Sequence, residues 1–225
     1  MRSALAQHVL RAVYDRKAPA YDLHHGLLTL HADERGRRLV VRHAVAEGDR
    51  VLDAGGGTGA TALLAARKVG PKGRVVLLDF SEGMLFQARR KAHAAGLAER
   101  MDFRVGNMLD LPFEEASFDA VLSTYSLCPL GDPVEGVMGL YRVLCPGGLL
   151  GVAHSAEPAN PLLRRLAGWV EAAAWRFPAL SMGCRAVDTL PALEAADAEL
   201  EFRATIGVPL WPFIVYVVRK PEQAA

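Results

Sequence analysis

Val51-Leu52-Asp53-Ala54 runs straight into Gly55-Gly56-Gly57-Thr58-Gly59. An apolar run that ends in such a loop and leads into a helical pattern lets a ligand lie directly against backbone N–H groups at a helix N-terminus. Asp79 stands 20 residues after Gly59, at the end of the next apolar run. A carboxylate at that spacing accepts both hydrogen bonds from a ribose diol, so loop and carboxylate together point to a nucleoside-bearing ligand. Asp53 discriminates between ligands. Gly55, Gly57 and Ala60 formally satisfy the dinucleotide fingerprint, but a carboxylate immediately before the turn repels a pyrophosphate. It is suited instead to hold the loop amides or to pair with a ligand ammonium group. S-Adenosylmethionine carries an ammonium and no phosphate, and so fits better than NAD.

His154 ends an apolar stretch, at the edge where open α/β sheets place their ligands. Its pKa range suits a general base for a phenol, enol or thiol; the plain alternative is a histidine hydrogen-bonded inside a covering segment. His24, His25 and His31 lack the spacing of a metal site on one helix and read as polar helix surface or lid residues, so no metal is expected. Cys128, Cys145 and Cys184 are odd in number, far apart and without a CxxC pair. That excludes a disulfide scaffold and a zinc site and fits a reducing cytoplasm.

The elements that must position these residues alternate. From Arg50 come a strand 50–54, a helix 58–69, a strand 73–79 and a helix 81–95, which make a βαβ unit. Strands at 101–105, 118–124 and 149–154 follow, with a helix at 133–144 between the last two. Strands that are apolar throughout imply a parallel sheet covered on both faces. Asn160-Pro161 reads as a helix start, with Leu162, Leu166, Trp169 and Ala173 at helical spacing. A short helix at 188–196 and two strands, 199–206 and 212–219, close the chain and can pair antiparallel.

Composition limits the partners. The chain has 225 residues, 51% of them hydrophobic, with 26 basic and 25 acidic side chains for a net charge of +1. A core of that size suits one main domain, and the balanced charge gives no field for a nucleic acid. The apolar stretch 208–218 is too short to span a bilayer and contains Pro209 and Pro212, and the N-terminus, interrupted by Arg11, Arg16 and Lys17, lacks the apolar stretch of a signal peptide. The expectation is a soluble protein, with peripheral membrane contact and a homodimer left open.

Five segments in order resemble the motifs of class I S-adenosylmethionine-dependent methyltransferases: 51–59, Leu78-Asp79-Phe80-Ser81-Glu82-Gly83-Met84-Leu85, Gly106-Asn107-Met108-Leu109-Asp110-Leu111-Pro112-Phe113, Phe118-Asp119-Ala120-Val121 and Tyr141-Arg142-Val143-Leu144-Cys145-Pro146-Gly147-Gly148. The similarity covers about 21–150 and is closest to the ubiquinone/menaquinone-biosynthesis C-methyltransferase group, whose entry segment looks like Ala20-Tyr21-Asp22. It implies a Rossmann-like, doubly wound α/β fold: a seven-stranded, mostly parallel sheet with an antiparallel last strand and an α-helical lid. Within one domain, 1–48 would be an N-terminal helical lid segment, 49–155 the cofactor-binding core, 156–197 lid and substrate helices, and 198–225 the closing strands.

The resemblance also implies roles. Asp53 and the Gly55, Gly57 and Gly59 backbone would hold the methionine part, with Thr58 and Thr124 lining that end and Tyr21 closing over it. Asp79 would take the ribose. Asn107 would accept from the adenine amine while the Met108 N–H faces the ring, and Phe80 and Met84 would line the adenine slot; for both methionines a plain core role competes. Methyl transfer by direct displacement needs no protein nucleophile, so Cys184 is favoured as a packing thiol beside the acceptor.

After the fifth strand the chain departs from the quinone pattern, and Gly183-Cys184 is similar to enzymes that methylate thiols or phospholipid amines. A roof of Trp169, Trp175, Phe177 and Leu180, with Tyr125 beneath, favours a flat, apolar, quinol-like acceptor, with a small thiol or lipid amine as the rival. An NAD-dependent oxidoreductase and a catalytically silent S-adenosylmethionine-binding module are the other classes. No NPPY-like segment follows the fourth strand, where Ser123-Thr124-Tyr125-Ser126 stands, which disfavours base methylation in nucleic acids.

Overall fold

A computed structural model describes residues 6–174, 176 and 183–222. Three helices come first: α1 (Gln7–Lys17), α2 (Tyr21–Thr29) and α3 (Ala32–Ala44). The alternating part follows as β1 (Arg50–Ala54), α4 (Ala60–Lys68), β2 (Arg74–Asp79), α5 (Glu82–Ala94), β3 (Met101–Val105), β4 (Phe118–Thr124), α6 (Pro133–Arg142) and β5 (Leu144–Ser155). The chain continues through α7 (Pro161–Ala174), α8 (Leu190–Glu194), β6 (Glu199–Val208) and β7 (Trp211–Arg219).

The seven strands form one sheet in the order β3-β2-β1-β4-β5-β7-β6. β1 to β5 run parallel, and β7 lies antiparallel between β5 and β6. Successive side chains alternate between two cores, as the period of a strand requires. Val51, Val75, Leu77, Ala120 and Leu122 pack beneath α3, α4 and α5, whereas Leu52, Val76, Leu78 and Val121 meet α6 and α8 on the other face. Burial on both faces explains why β1, β2 and β4 read as continuous apolar runs.

Helix starts follow their caps. Ser81 Oγ accepts from the Met84 N–H (3.1 Å), Asp132 Oδ1 from Val134 and Glu135 (3.0 and 2.9 Å), and Asn160 Oδ1 from Leu162 (2.9 Å). β5 begins five residues earlier than its apolar stretch, at Leu144, because Phe118 of β4 pairs with Leu144 before a register shift to Ala120↔Leu149. In the N-terminal segment, Leu10, Tyr14 and Ala18 form a small core with Met84 of α5, which holds α1 across the ends of the parallel strands.

Candidate active site

A cavity of about 260 Å³ opens where β1 to β4 end, walled by the glycine loop, Asp79, Asn107, Thr124 and the N-terminal helices. Gly55 makes the turn. Its amide donates to Leu78 O (2.7 Å), its φ is +68°, and a Cβ there would lie 2.4 Å from Ser126 Cβ, so no other residue fits. At Gly57 nothing stands within 4 Å of where a Cβ would be, and the backbone is open to a ligand. Gly59 lies behind the loop, its would-be Cβ 3.0 Å from Ala88 of α5.

Asp79 is buried, and its oxygens accept from the Gly57 N–H (2.8 Å) and the Ser81 N–H (2.9 Å). Burial raises its pKa to about 6, against the pull of those amides. A carboxylate has about four acceptor positions, which leaves two for a vicinal diol. Leu78, Phe80, Met84 and Met108 line an apolar slot beside it, with Asn107 at one edge. Asn107 Oδ1 already accepts from the Leu109 N–H (3.0 Å), so its own turn occupies one of its two lone pairs. Tyr21, Thr58, Thr124 and Tyr125 also reach the wall, and Thr58 Oγ1 donates to Asp22 (2.5 Å). An exposed backbone, a buried carboxylate and a flat apolar slot together fit an adenosyl group.

Asp53 is placed differently from the expectation. It is fully buried under Gly56, lines no part of the cavity, and burial pushes its pKa up to about 7; neither oxygen meets a hydrogen-bond donor within normal geometry. A ligand ammonium group therefore does not reach it directly.

The largest omission from the sequence reading is Arg37. This α3 residue is 7% exposed, and its Nη1 donates to Thr61 Oγ1 and Thr124 Oγ1, both at 3.0 Å. Its Nε is 3.7 Å from Asp33, whose carboxylate already accepts from His25 and Thr29. The guanidinium lies over the Tyr125 ring at 5.1 Å and forms part of the cavity wall. Gly36 makes this approach feasible, because a Cβ there would come within 2.2 Å of the Tyr125 hydroxyl. Tyr125 itself has φ +60°, a left-handed conformation rare for an aromatic residue and one that concentrates at working sites. Gln7, Leu10 and Tyr14 of α1 complete the wall. Only the presence of a basic residue in an apolar helical pattern hinted at Arg37.

Three expectations for the acceptor side are corrected. His154 is 1% exposed and lies outside the cavity wall: Nδ1 bonds Ser155 O (3.1 Å), Nε2 meets Thr189 Oγ1 (3.3 Å), and Tyr216 packs edge-on. With burial lowering its pKa, it is a structural histidine under α8 and no base for this site. Trp169 is 76% exposed on α7 and turns away from the cavity. Cys184 lines a separate hollow with Arg164 and Trp211, its thiol set against that of Cys128. Trp175, Phe177 and Leu180 lie outside the described residues. His25, expected among polar surface or lid residues, is buried and bonds Asp33 at 2.9 Å. No group of three metal-ligating side chains occurs among the described residues.

A seven-stranded sheet with an antiparallel β7, and a cavity at the β1–β4 edge lined by the glycine loop and Asp79, defines the Rossmann-like methyltransferase class. Solved structures agree on that fold. The [4+2]-cyclase SpnF superposes with a TM-score of 0.68 at 22% identity, covering 84% of this chain and 82% of that one. Geranyl diphosphate C-methyltransferase from Streptomyces coelicolor gives 0.68 at 18% identity, covering 82% of this chain and 78% of that one. The chain belongs to the ubiE/COQ5 methyltransferase family, whose model matches residues 2–171. Among curated relatives, a demethylmenaquinone methyltransferase of Lactobacillus johnsonii is 32% identical over 70% of this chain and 64% of its own length. A 2-phytyl-1,4-naphtoquinone methyltransferase of Synechococcus elongatus is 35% identical over 72% of this chain and 70% of its own. The chain thus spans roughly two thirds of these relatives.

Proposed function

We propose that this chain transfers a methyl group from S-adenosylmethionine to a small apolar acceptor of the quinol type by direct displacement. The observation that carries the reading is one cavity wall holding the glycine loop and Asp79 on one side and Tyr14, Tyr21, Tyr125, Leu10 and Leu130 on the other. The first set suits an adenosyl group, and the second suits a flat ring. The relatives' names, demethylmenaquinone and 2-phytyl-1,4-naphtoquinone methyltransferase, point to the same acceptor class.

Bound S-adenosylmethionine supplies an electrophilic methyl group. The chain's own residues supply alignment and exclude water. Burial raises the pKa of Tyr21 and of Tyr125 further above the ordinary value, so neither phenol ionises to serve as a base. Apart from Asp79, committed to the ribose, the described wall has no carboxylate and no histidine. With no free base in the described wall, the proton that the methyl group displaces from the quinol ring would leave to solvent water.

In this reading α1, α2 and α3 roof the 49–155 core, and free cysteines suit the cytoplasm. No helix of the described residues is long and apolar enough to cross a membrane. Titration calorimetry tests the cofactor part: S-adenosylhomocysteine should bind at micromolar concentration and NAD should not. Tighter binding of NAD would overturn it.

A further inference from the structure

The loop after β4 and the segment 183–187 meet at two thiols. Cys128, 1% exposed in that loop, hydrogen-bonds with Cys184. Further contacts hold the same two stretches together. Arg185 Nη2 donates to Leu130 O (2.8 Å) and Gly131 O (3.0 Å), and the Val187 N–H donates to Ser155 O (3.2 Å), at the end of β5 where Cys128 also finds a hydrogen-bond partner. Cys184 hydrogen-bonds with Tyr14 of α1 as well. Tyr14, Leu130 and Gly131 all belong to the cavity wall, on the side given above to the acceptor. We propose that Cys128 and Cys184 are a redox site: a peroxide converts the two thiols to a disulfide that ties 183–187 to the loop after β4 and slows entry of the acceptor. The cross-link stands apart from the methyl-transfer reading; only its effect on turnover rests on that reading.

Access and chemistry both suit such a site. Cys128 is sealed, but Cys184 is half-buried and opens on the hollow of about 80 Å³ beside Arg164 and Trp211. A water molecule's share of liquid volume is about 30 Å³, so the hollow admits a molecule the size of hydrogen peroxide. The bond with Cys184 lowers the pKa of Cys128 against the effect of burial, and the same bond, together with burial, raises that of Cys184. The pair therefore loses its first proton from Cys128, and the thiolate keeps a donor at its side. Peroxide oxidises one sulfur to a sulfenic acid with loss of water; the other sulfur attacks it and expels a second water. Two S–H bonds break, one S–S bond forms, and the two electrons end on the peroxide oxygens. A disulfide of this reversible kind is compatible with a reducing compartment. Cys145 has no share in it, since its thiol bonds Ala116 O (3.1 Å) near the start of β5. Once the hydrogen bond between the thiols has become a covalent one, 183–187 no longer parts from the wall, whereas the contacts of Asp79 and the glycine loop are untouched.

The test treats the full chain with hydrogen peroxide, blocks the remaining thiols by alkylation and digests it with trypsin. Arg142 and Arg176 lie between the three cysteines, so each falls in its own peptide. Mass spectrometry should find the peptides of Cys128 and Cys184 joined with the loss of two hydrogens and Cys145 alkylated, and dithiothreitol should reverse the joining. In the folded chain, oxidation should slow tryptic cleavage after Arg185 about tenfold. Methylation of the quinol should fall severalfold, while affinity for S-adenosylhomocysteine stays within about twofold of the reduced chain's. C184S should keep the reduced chain's turnover and lose every response to peroxide; should it not fold, C128A takes its place. Absence of the joined peptide, unchanged cleavage or turnover once it has formed, or a matched loss of cofactor affinity would overturn the proposal. A response to peroxide that persists in C184S contradicts it as well, because the sensitive group then lies elsewhere. If neither the reduced nor the oxidised chain methylates the quinol, the methyl-transfer reading falls, and the joined peptide and the cleavage after Arg185 still decide whether the redox site exists.

Discussion

Two buried carboxylates, Asp53 one residue before the end of β1 and Asp79 at the end of β2, end up with opposite environments, and pH separates them. Asp79 faces the cavity with a pKa raised to about 6 by burial, and only its ionised form accepts both hydroxyls of a diol. Affinity for S-adenosylhomocysteine should therefore fall as pH drops below about 6, and in Asp79→Asn it should be weaker and flat across that range; calorimetry from pH 5 to 8 checks it. Asp53 is buried without a partner, and its pKa is raised from 3.8 to about 7. A carboxyl raised on folding contributes stability that is complete below its unfolded value and lost as pH rises through the folded one. Asp53→Asn cannot ionise, so its stability relative to the parent should increase between pH 5 and pH 8, by on the order of a few kcal/mol at most. Denaturant melts that stay parallel across this range would contradict the account. The spacing of Asp79 from the glycine loop was legible because both lie in one βαβ unit. Arg37 was not, because its partner Thr124 is 87 positions away and nothing local marks the contact.

Strand and helix positions were largely legible, since caps and apolar runs are local signals, whereas the direction an element faces depends on what later covers it. His154 ends its strand on the expected edge, yet Thr189 before α8 and Tyr216 of β7 enclose it. The helical spacing of Leu162, Leu166 and Trp169 is real, but that face points to solvent, at 75%, 49% and 76% exposure. The N-terminal helices offer a test at this scale. Asp15 of α1 accepts from Ser81 Oγ (2.6 Å) and the Gly83 N–H (3.1 Å), and so ties α1 to the start of α5. Asp15→Ala should cost about 1–2 kcal/mol locally and speed amide exchange in α1 about tenfold while leaving exchange in β1 and β4 unchanged. Equal acceleration in the central strands would show that α1 is part of the global unfolding unit and no separable roof.

For the molecule as a whole, apolar side chains lie outside as well as in: Leu23, Leu27, Leu28 and Leu30 around α2, and Leu162, Leu166 and Trp169 on α7. An acceptor with an apolar tail resides in lipid, and an enzyme serving it gains from resting on that surface. With a net charge of +1, the attachment should be apolar rather than electrostatic. Co-sedimentation with neutral phosphatidylcholine vesicles should be insensitive to salt and fall severalfold in Trp169→Glu; dependence on anionic lipid with no effect of the substitution would contradict this. The α/β class and the parallel core were legible from the chain's alternation. The quinol-like acceptor class came from the sequence, but the walls proposed to receive it were not legible, because they come from α1, α2, α3 and the loop after β4, brought together only by folding. The central claim is best tested by product analysis: methyl-labelled S-adenosylmethionine is incubated with the chain and a chemically reduced naphthoquinone that carries an isoprenoid tail and an unsubstituted ring carbon. The account predicts labelled S-adenosylmethionine consumed one for one with a quinol carrying the label on that carbon. Label found instead on a small thiol or a phospholipid amine, with none on the quinol, would contradict it.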